Sequence, residues 1–381
     1  MNHKQVIPVR TVIYRGGTSK GLFLHENDLP QDPKIRDRVI LAMFGSPDPR
    51  QIDGLGGAEV LTSKLALIGP PSIPGADVDY TFGQVSIDKA YISYSGLCGN
   101  ISAGVGPFAI EEGLVRAESP VTTVRIHNKN TAQIFTMEVP VEDGAPSIEG
   151  SYEIAGVPGT GAKLKIDMAG TIGSFGKGLL PTGHVVDELD VPGVGKVRGS
   201  LIDVVNPCFF VKAEDLGLRG DEVKKDDFPA GKLEQMEAIR KEVFRLLDKP
   251  YNENDAVPFV AFVAEPKDYV NHLTGTVIKA EEVDFLSRLY FLGGIHQTYS
   301  GSITCCTGAA SVIPGTVVNE VRRSKRGSEI IIGHPSGTID AEAVCDVSSG
   351  QPIITRVMYA RTARRIMEGY CYVPARFFEE E

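Results

Sequence analysis

The sequence predicts an α+β protein in which strands far outnumber helices. Of the 381 residues, 42 are glycine and 24 are proline, and there is no tryptophan. An average protein has only about 7% glycine, so this composition is typical of a chain with many tight turns and close backbone approaches. Short β-branched or alternating stretches recur along the whole chain, whereas helical periodicity is clear in few places.

The predicted strands are rich in Val, Ile, Thr, Tyr and Phe and are bounded by Gly, Pro, Asn or Asp. They are residues 6–14, 78–87, 121–127, 134–141, 197–205, 256–264, 330–333 and 351–361. The predicted helices place apolar residues on one stripe among charged ones. They are residues 34–44, 232–247 and 281–295.

The chain length predicts two domains, because a typical domain is about half as long or shorter. Two glycine-rich segments, residues 96–104 and 304–311, each place a cysteine before a run of small residues that favours a helix. They lie about half a chain apart, so a duplicated architecture is the simplest explanation. We expect an amino-terminal domain over residues 1–186 and a carboxy-terminal domain over 187–381, with the last strand able to pack back on the first domain.

Composition also limits the partners of the chain. The 39 basic and 49 acidic residues give a net charge of −10, which disfavours nucleic acid, and the basic cluster at residues 322–326 is interpreted as a solvated turn. The longest uncharged run, residues 91–110, is interrupted by glycines and a proline, so no membrane association is expected. Six cysteines without a secretory signature predict cytoplasmic thiols. No metal, nucleotide or flavin motif is present, so we expect no cofactor.

Cys98 is the first candidate for chemistry. A helix that begins there would present unpaired backbone N–H groups and the positive end of its dipole to this residue. That environment would favour a thiolate and could hold a carboxylate against the backbone. The alternative, that Cys98 is a small buried residue at a turn, stays open.

Lys64 is the second candidate. It follows the glycine-rich loop at residues 53–57 and precedes the apolar stretch 65–68. An amine in apolar surroundings loses hydration, which favours its neutral form as a base. Lys20 ends the same Thr-Ser-Lys tripeptide beside glycines, and for either lysine a simple position at a strand end is the alternative. His296 is the one histidine near a candidate site, since it precedes the second cysteine segment.

Several linked motifs together resemble the 2-methylaconitate isomerase family, and the similarity covers nearly the whole chain. These motifs are residues 15–21, 51–57, 62–64, 98–108, 206–207 and 361–364. The resemblance implies a fold like that of diaminopimelate epimerase, with two similar domains that each wrap a sheet around a central helix. It also implies that no cofactor takes part.

The activity implied by the resemblance is an allylic proton shift that moves a double bond in a small di- or tricarboxylate. Conversion of 3-methylitaconate to 2,3-dimethylmaleate is the first expectation. Isomerisation of 2-methylaconitate and tautomerisation of 4-oxalomesaconate are alternatives, and a non-catalytic carboxylate-binding protein on the same fold is a third. We also expect a homo-oligomer.

By the same resemblance, Lys64 is the principal base, and Cys98 is either a second acid/base or a group that orients the substrate. Side chains, backbone N–H groups and one wall residue are expected to hold the substrate, and none is expected to bind a metal. They are Ser19 and Asn206 for the side chains, Gly99, Asn100, Thr307 and Gly308 for the N–H groups, and His296 for the wall.

Cys305 departs from the pattern of this family. In the epimerases of the fold a second cysteine lies where this chain has Cys305, so a two-cysteine racemase stays open. The match at Lys64 argues against it, because the racemases of this fold do not use such a lysine. We expect Cys305 to fill a small position at the start of the second helix.

Overall fold

Two compact units make up the protein, seen in a computed structural model that describes residues 5–224, 227–323 and 327–379. The first unit comprises Met1–Tyr152, Thr160–Leu164 and Arg361–Glu381, and the second comprises Glu153–Gly159 and Lys165–Ala360. Each unit consists of more than one segment of the chain, so no single position in the sequence separates them. The domain boundary expected after residue 186 stays a prediction. Part of the basic cluster at 322–326, residues 324–326, lies outside the described residues.

Strands dominate both units. In chain order they are β1 Val6–Gly16, β2 Ser19–His25, β3 Lys64–Gly69, β4 Val78–Val85, β5 Ile92–Ser93, β6 Val121–Asn128, β7 Gln133–Glu142, β8 Ala145–Pro146, β9 Tyr152–Glu153, β10 Thr160–Gly161, β11 Leu164–Asp167, β12 Asp187–Val191, β13 Gly195–Val204, β14 Asn206–Lys212, β15 Phe259–Ala264, β16 Tyr269–Val270, β17 Val277–Ile278, β18 Phe285–Phe291, β19 Gly294–Ile295, β20 Glu329–His334, β21 Gly337–Asp346, β22 Ile353–Arg361 and β23 Ala363–Pro374. The α-helices are α1 Pro33–Phe44, α2 Val105–Glu111, α3 Lys232–Leu246, α4 Gly301–Val312 and α5 Val317–Val321.

The first unit is built on a mixed sheet. Strand β23 runs antiparallel to β1 along its whole length, and β1 and β2 form an antiparallel hairpin. Beyond them, β2 is parallel to β3, β3 is antiparallel to β4, β4 is parallel to β6, and β6 is antiparallel to β7. Each parallel step needs a crossover, and the segments that contain α1 and α2 provide them.

Helix α2 is the central helix of this unit. Residues 105–110 are buried, and the helix packs against β3, β6, β7 and β8. The turn before it must come close to the sheet: a β-carbon built at Gly104 would lie 2.7 Å from Cζ of Phe23. Glycine at this position therefore lets the helix approach the strands.

The second unit repeats the same strand order. Strand β13 pairs antiparallel with β14, β14 is parallel to β15, β15 is antiparallel to β18, β18 is parallel to β20, and β20 is antiparallel to β21. Helix α3 lies in the first crossover and α4 in the second, and residues 301–311 of α4 are buried. The expected duplication, with a sheet around a central helix in each copy, is therefore confirmed.

Two of the three predicted helices are confirmed. Helix α1 begins after Asp32, whose carboxylate accepts hydrogen bonds from the N–H groups of Lys34 and Ile35. Helix α3 buries an apolar stripe that includes Met236 and Ile239 against the second sheet.

The helix predicted over residues 281–295 is wrong. A short 3-10 helix, Ala280–Glu282, is followed by the strands β18 and β19. Strand β18 pairs with β15 on one edge and with β20 on the other, and residues 285–290 are all buried. A strand whose two faces are both covered need not alternate between apolar and polar residues, so periodicity alone does not distinguish it from a buried helix.

Candidate active site

Lys64 is the first residue of β3, where this central strand passes between β2 and β4 of the first unit. Its side chain is only 3% exposed. The ammonium nitrogen Nζ donates a hydrogen bond of 2.7 Å to Oε1 of Gln84 and lies 5.5 Å from the ring centroid of Phe82. A β-carbon built at Gly21, the neighbour of Lys64 on β2, would lie 2.1 Å from the Lys64 carbonyl oxygen, so only glycine fits there.

Gln84 is a buried partner that the sequence analysis did not identify. It lies directly opposite Lys64 in the antiparallel pair β3–β4, and its amide Nε2 donates to the carbonyl oxygens of Ser63 at 3.1 Å and Val60 at 3.2 Å. No motif marks this residue. The register of the two strands is needed to find it.

The glycine-rich loop before Lys64 is organised by Gln51. Its side-chain oxygen accepts hydrogen bonds from the Ser63 hydroxyl at 2.8 Å and from the Ala58 N–H at 2.7 Å. Its amide nitrogen donates to the Ser46 hydroxyl at 3.0 Å. The loop that leads into β3 is therefore tied to a buried side chain rather than left to its glycines.

Ser19 begins β2 and is 2% exposed. Alternate residues of a strand share a face, so Ser19 lies on the face of Gly21 and of its register partner Lys64. Within the described residues, the buried hydroxyl oxygen of Ser19 has no hydrogen-bond partner. A buried polar group in that state costs free energy until something pairs with it, which makes this hydroxyl a candidate ligand contact.

Cys98 lies in the turn before the 3-10 helix Ile101–Gly104 and is 9% exposed. Its carbonyl oxygen accepts hydrogen bonds from the N–H and the hydroxyl of Ser102, at 3.0 and 2.7 Å. The residue thus stands at the amino end of the helical segment, three residues earlier than the first helical residue. Burial raises the pKa of the Tyr80 phenol well above its usual value, and the neighbouring Cys98 sulfur adds to that rise.

Tyr80, Phe82 and Gln84 alternate along β4 and so face the same side of the sheet as Lys64. The first unit therefore gathers Ser19, Lys64 and the turn of Cys98 around one sheet face. Gly99, the residue after Cys98, is also buried.

Asn100 is held by Arg361, which lies in the family motif at residues 361–364 but was given no role in the sequence analysis. The Arg361 guanidinium donates through Nε to Oδ1 of Asn100 at 2.8 Å, and both side chains are at most 2% exposed. Gly17 lies against this pair, because a β-carbon there would be 2.4 Å from the same Asn100 oxygen.

Asn206 is the first residue of β14 in the second unit and is fully buried. Its amide Nδ2 donates to the Ser302 hydroxyl at 3.0 Å, and that hydroxyl lies 2.8 Å from the hydroxyl of Ser300. Ser300 is the residue that precedes α4. The predicted carboxylate ligand of this unit therefore stands at the first turn of its central helix.

Thr307, Gly308 and Cys305 lie inside α4 instead of at its start. The helix begins at Gly301, four residues before Cys305. Its first backbone hydrogen bond of the α-helical type joins the N–H of Thr304 to the carbonyl oxygen of Ser300. Amide groups in the middle of an α-helix are bonded to carbonyls four residues earlier. The expectation that Cys305 starts the helix is wrong, and the N–H groups of Thr307 and Gly308 belong to the helix interior.

The side chain of Thr307 joins a buried hydroxyl chain. Its hydroxyl lies 2.9 Å from the Tyr299 hydroxyl, which in turn lies 2.6 Å from that of Ser287. Burial raises the pKa of the Tyr299 phenol above its usual value. These contacts tie α4 to β18 within the second unit.

His296 follows β19 in the second unit and is 8% exposed. Its ring packs edge-on against Phe291 with centroids 5.7 Å apart, and Nδ1 accepts a hydrogen bond of 3.3 Å from the Thr298 N–H. In the part of the chain that the structure describes, no group of three or more His, Cys, Asp or Glu side chains is arranged to hold a metal ion. Across residues 5–224, 227–323 and 327–379, no helix has the length and apolar character needed to cross a bilayer.

Comparison with known proteins places this arrangement in a family. A family model described as PrpF protein matches residues 6–374. The chain belongs to the PrpF protein family.

Two relatives illustrate the range of this PrpF family. The 3-methylitaconate isomerase of Eubacterium barkeri is 49% identical over 370 residues, which cover 95% of this chain and 96% of the relative. The 2-methyl-aconitate isomerase of Shewanella oneidensis is 38% identical over 388 residues, which cover 97% of each chain. These relatives confirm the family resemblance and the isomerase class expected from the sequence.

Solved structures agree with the expected fold of a PrpF protein. A methylitaconate-delta-isomerase matches with a TM-score of 0.82 at 46% identity, covering 99% of this chain and 98% of that one. A hydroxyproline epimerase from Agrobacterium vitis shares the fold at 12% identity, with a TM-score of 0.60 and coverage of 98% and 94%. The predicted α+β, epimerase-like fold class is confirmed.

Proposed function

We propose that this PrpF-family chain is an isomerase that converts 3-methylitaconate to 2,3-dimethylmaleate by an allylic proton shift. The observation that carries the proposal is the 49% identity to a 3-methylitaconate isomerase over nearly the full length of both chains. A buried amine at Lys64 supports it chemically, since it shares a sheet face with the buried Ser19 hydroxyl, which has no hydrogen-bond partner among the residues that the structure describes.

The reaction needs a base for one weakly acidic proton. In 3-methylitaconate the carbon that carries the methyl branch bears a hydrogen that is both allylic and next to a carboxylate. Neutral Lys64 takes this proton, and the C–H electron pair spreads through the adjacent double bond and carboxylate as a dienolate. The ammonium of Lys64 then returns a proton to the terminal methylene carbon, which becomes a methyl group. One proton leaves and one returns, so the reaction is balanced without a co-reactant.

The substrate carboxylates need hydrogen-bond donors that strengthen as charge develops. In the first unit we assign the Ser19 hydroxyl and the N–H groups of Gly99 and Asn100 to this task. In the second unit we assign Asn206, and His296 as a wall residue. Thr307 and Gly308 are not retained as N–H donors, because amides inside an α-helix are already bonded.

Cys98 has two possible roles in the proposed reaction. As an acid/base it would donate the proton to the terminal methylene carbon in place of the Lys64 ammonium. As an orienting group it would contact the substrate without transferring a proton. The comparison of alanine and serine at this position, described in the Discussion, separates the two.

Substrate choice is tested by turnover of three compounds, 3-methylitaconate, 2-methylaconitate and 4-oxalomesaconate, each followed by proton NMR in deuterated water. We expect the highest kcat/KM for 3-methylitaconate, with one deuterium in the new methyl group of the product. A methyl group changes selectivity by about 1–3 kcal/mol through pocket shape, so a lower rate with the other two is expected rather than none. A preference for either of them contradicts the substrate assignment, and binding of all three without turnover indicates a carboxylate-binding protein.

Quaternary structure and location belong to the same proposal. We infer a homo-oligomer in the cytoplasm, and light scattering on the purified protein tests the first of these. The cysteines support a reducing compartment, since none of the six, all within the described residues, takes part in a disulfide.

A further inference from the structure

We propose that Gln84 is a positioning residue for Lys64: it holds the amine through a neutral acceptor and thereby withholds a counter-ion from it. The inference rests on the proposed role of Lys64 as base. It starts from the buried hydrogen bond of 2.7 Å between Nζ of Lys64 and Oε1 of Gln84.

The acceptor end of Gln84 is fixed by its donor end. The amide Nε2 donates to two backbone carbonyls, those of Ser63 and Val60, and a reversed amide would place its oxygen against both of them. Ser63 is in turn held by the side chain of Gln51. The glycine-rich loop, Gln84 and Lys64 thus form one connected network that aims a carbonyl-type oxygen at the amine.

A neutral partner matters because a base must be neutral to act. A carboxylate at the same place would stabilise the ammonium form and keep the lysine protonated at working pH. An amide oxygen still accepts a hydrogen bond from the amine, so it fixes the position of Nζ without that cost. The ring of Phe82 completes an apolar side to the amine.

The other titratable groups around β3 are few in the described residues. Lys20 on β2 lies at an alternate position and so faces the other side of the sheet, while Tyr80 on β4 and Cys98 share the face of Lys64. Glu26 approaches the far end of β3, next to Gly69. The helical segment packed over the strand, residues 101–111, carries one charged side chain, Glu111 at its end, which accepts a hydrogen bond of 3.2 Å from the Tyr14 hydroxyl. His25 shares the face of Lys64 at the far end of β2, where its Nε2 lies 2.9 Å from Glu112.

The second unit shows that the fold itself does not require this polar pair. In the repeated topology, the first residue of β15 is Phe259, and its register partner Cys208 is the third residue of β14, as Gly21 is of β2. Extended by one residue, the antiparallel register of β15 and β18 places Phe291 opposite Phe259. The two rings stack with centroids 5.6 Å apart. Aromatic packing thus fills in one copy the positions that hold an amine and an amide in the other, so the pair serves chemistry rather than folding.

The test compares Gln84→Glu and Gln84→Met with wild type in kcat against pH, using 3-methylitaconate. Gln84→Glu should lower kcat at pH 7 by about tenfold and move the ascending, acid-side limb of the profile to higher pH by about one unit or more, so that activity recovers at high pH. Gln84→Met keeps the length but removes the acceptor, and should lower kcat by a similar factor at every pH. KM should change by less than about threefold in both, since neither residue change touches the substrate carboxylates.

A matched control is available on α3. Gln235 accepts a hydrogen bond of 3.1 Å from the Lys232 ammonium, so Gln235→Glu adds the same charge beside a lysine at a site remote in sequence and in the other unit. This variant should reproduce the wild-type profile.

A second readout does not depend on turnover. Trace acetylation of the protein between pH 7 and 11, with the Lys64 peptide quantified by mass spectrometry, should show half-maximal reactivity at higher pH in Gln84→Glu than in wild type. If the labelling curves of Gln84→Glu and wild type differ in this way but the wild type has no turnover, the proposed reaction is contradicted and the pairing of Gln84 with Lys64 is not. A Gln84→Glu protein whose pH–rate and labelling curves keep the wild-type shape would overturn the inference.

Discussion

At the scale of the residue, Lys64 combines deep burial with a hydrogen bond to a neutral partner. We predict that Lys64→Ala lowers kcat by about 10²–10⁴-fold, the usual effect of a lost general base, while the protein stays folded. Steady-state kinetics with circular dichroism checks both parts. The matched control is Lys20→Ala. It removes the lysine of the other Thr-Ser-Lys tripeptide, which lies on the face of β2 opposite to the face of Lys64, and should retain most activity. A folded Lys64→Ala protein with more than about a tenth of wild-type kcat would show that the base lies elsewhere.

Cys98 and Cys305 should respond differently to substitution. Cys305 lies inside α4, where alanine is an excellent helix former, so Cys305→Ala should keep most of the isomerase activity. Cys98 stands at the turn beside the Lys64 face, so Cys98→Ala should lower kcat/KM more. Cys98→Ser should lose less than Cys98→Ala if the group orients the substrate.

The hypothesis of a two-cysteine racemase makes the opposite prediction for Cys98 and Cys305. Two-thiol racemisation needs both sulfurs, so loss of either would stop it. Each variant should therefore also be assayed with proline and diaminopimelate stereoisomers. Racemisation of either amino acid, or an inactive but folded Cys305→Ala protein, would contradict the isomerase assignment.

At the scale of the element, the hairpin β13–β14 presents Asn206 and carries a buried carboxyl at Asp203. This carboxyl accepts hydrogen bonds from the Ser174 hydroxyl at 2.5 Å and the Phe175 N–H at 2.8 Å. Burial nevertheless raises the pKa of Asp203 to about 6, against 3.8 for an unperturbed aspartate. The folded state therefore binds this proton more tightly than the unfolded chain, so the contribution of Asp203 to stability is full below about pH 4 and is lost as the pH rises to about 6.

We predict that the stability of Asp203→Asn relative to wild type increases as the pH rises. Between pH 4 and 7 the difference in free energy of unfolding should move in favour of the variant by about 2 kcal/mol, because the asparagine never has to ionise. Urea unfolding at pH 4, 5, 6 and 7 measures it. Asp190→Asn, which changes an exposed aspartate on the neighbouring strand β12, is measured in parallel as the control for the loss of a surface carboxylate. A difference in free energy of unfolding that stays constant with pH for Asp203→Asn would contradict the conclusion that burial raises the pKa of this carboxyl.

Elements also show how far a sequence can be interpreted. Amphipathic helices such as α1 and α3 could be predicted, because a cap or an apolar stripe is local information. Strand β18 could not, since its edge pairings with β15 and β20 and the burial of residues 285–290 are made by parts of the chain distant in sequence. Cys305 was misplaced for a similar reason: a run of small residues suits a turn and a buried helix equally, and the start of α4 at Gly301 depends on packing.

The same limit applies to the candidate site. Lys64 was accessible to sequence reasoning because a glycine-rich loop and an apolar stretch flank it directly. Gln84 and Arg361 were not, since each acquires its partner from a residue distant in sequence, through strand register in one case and through the contact with Asn100 in the other.

At the scale of the whole molecule, the proposed reaction uses only side chains and backbone amides of the chain. We predict that dialysis against a strong chelator leaves kcat unchanged, because the proposed dienolate is stabilised by hydrogen bonds and needs no metal ion. The measurement is turnover of 3-methylitaconate before and after dialysis, with magnesium or zinc added back in parallel. Loss of activity that either ion restores would contradict this mechanism.

The repeated topology has a consequence for how such a chain can change over time. An ancestral copy with two equal halves would need its reactive amine in one half only, since a proton shift has one principal base. Selection would then act on positions 64 and 84 through chemistry and on positions 259 and 291 through packing, where stacked rings now contribute to a core. Two halves under such different pressures diverge at these positions while keeping the same strand order, so the duplication is more complete in the topology than in the residues.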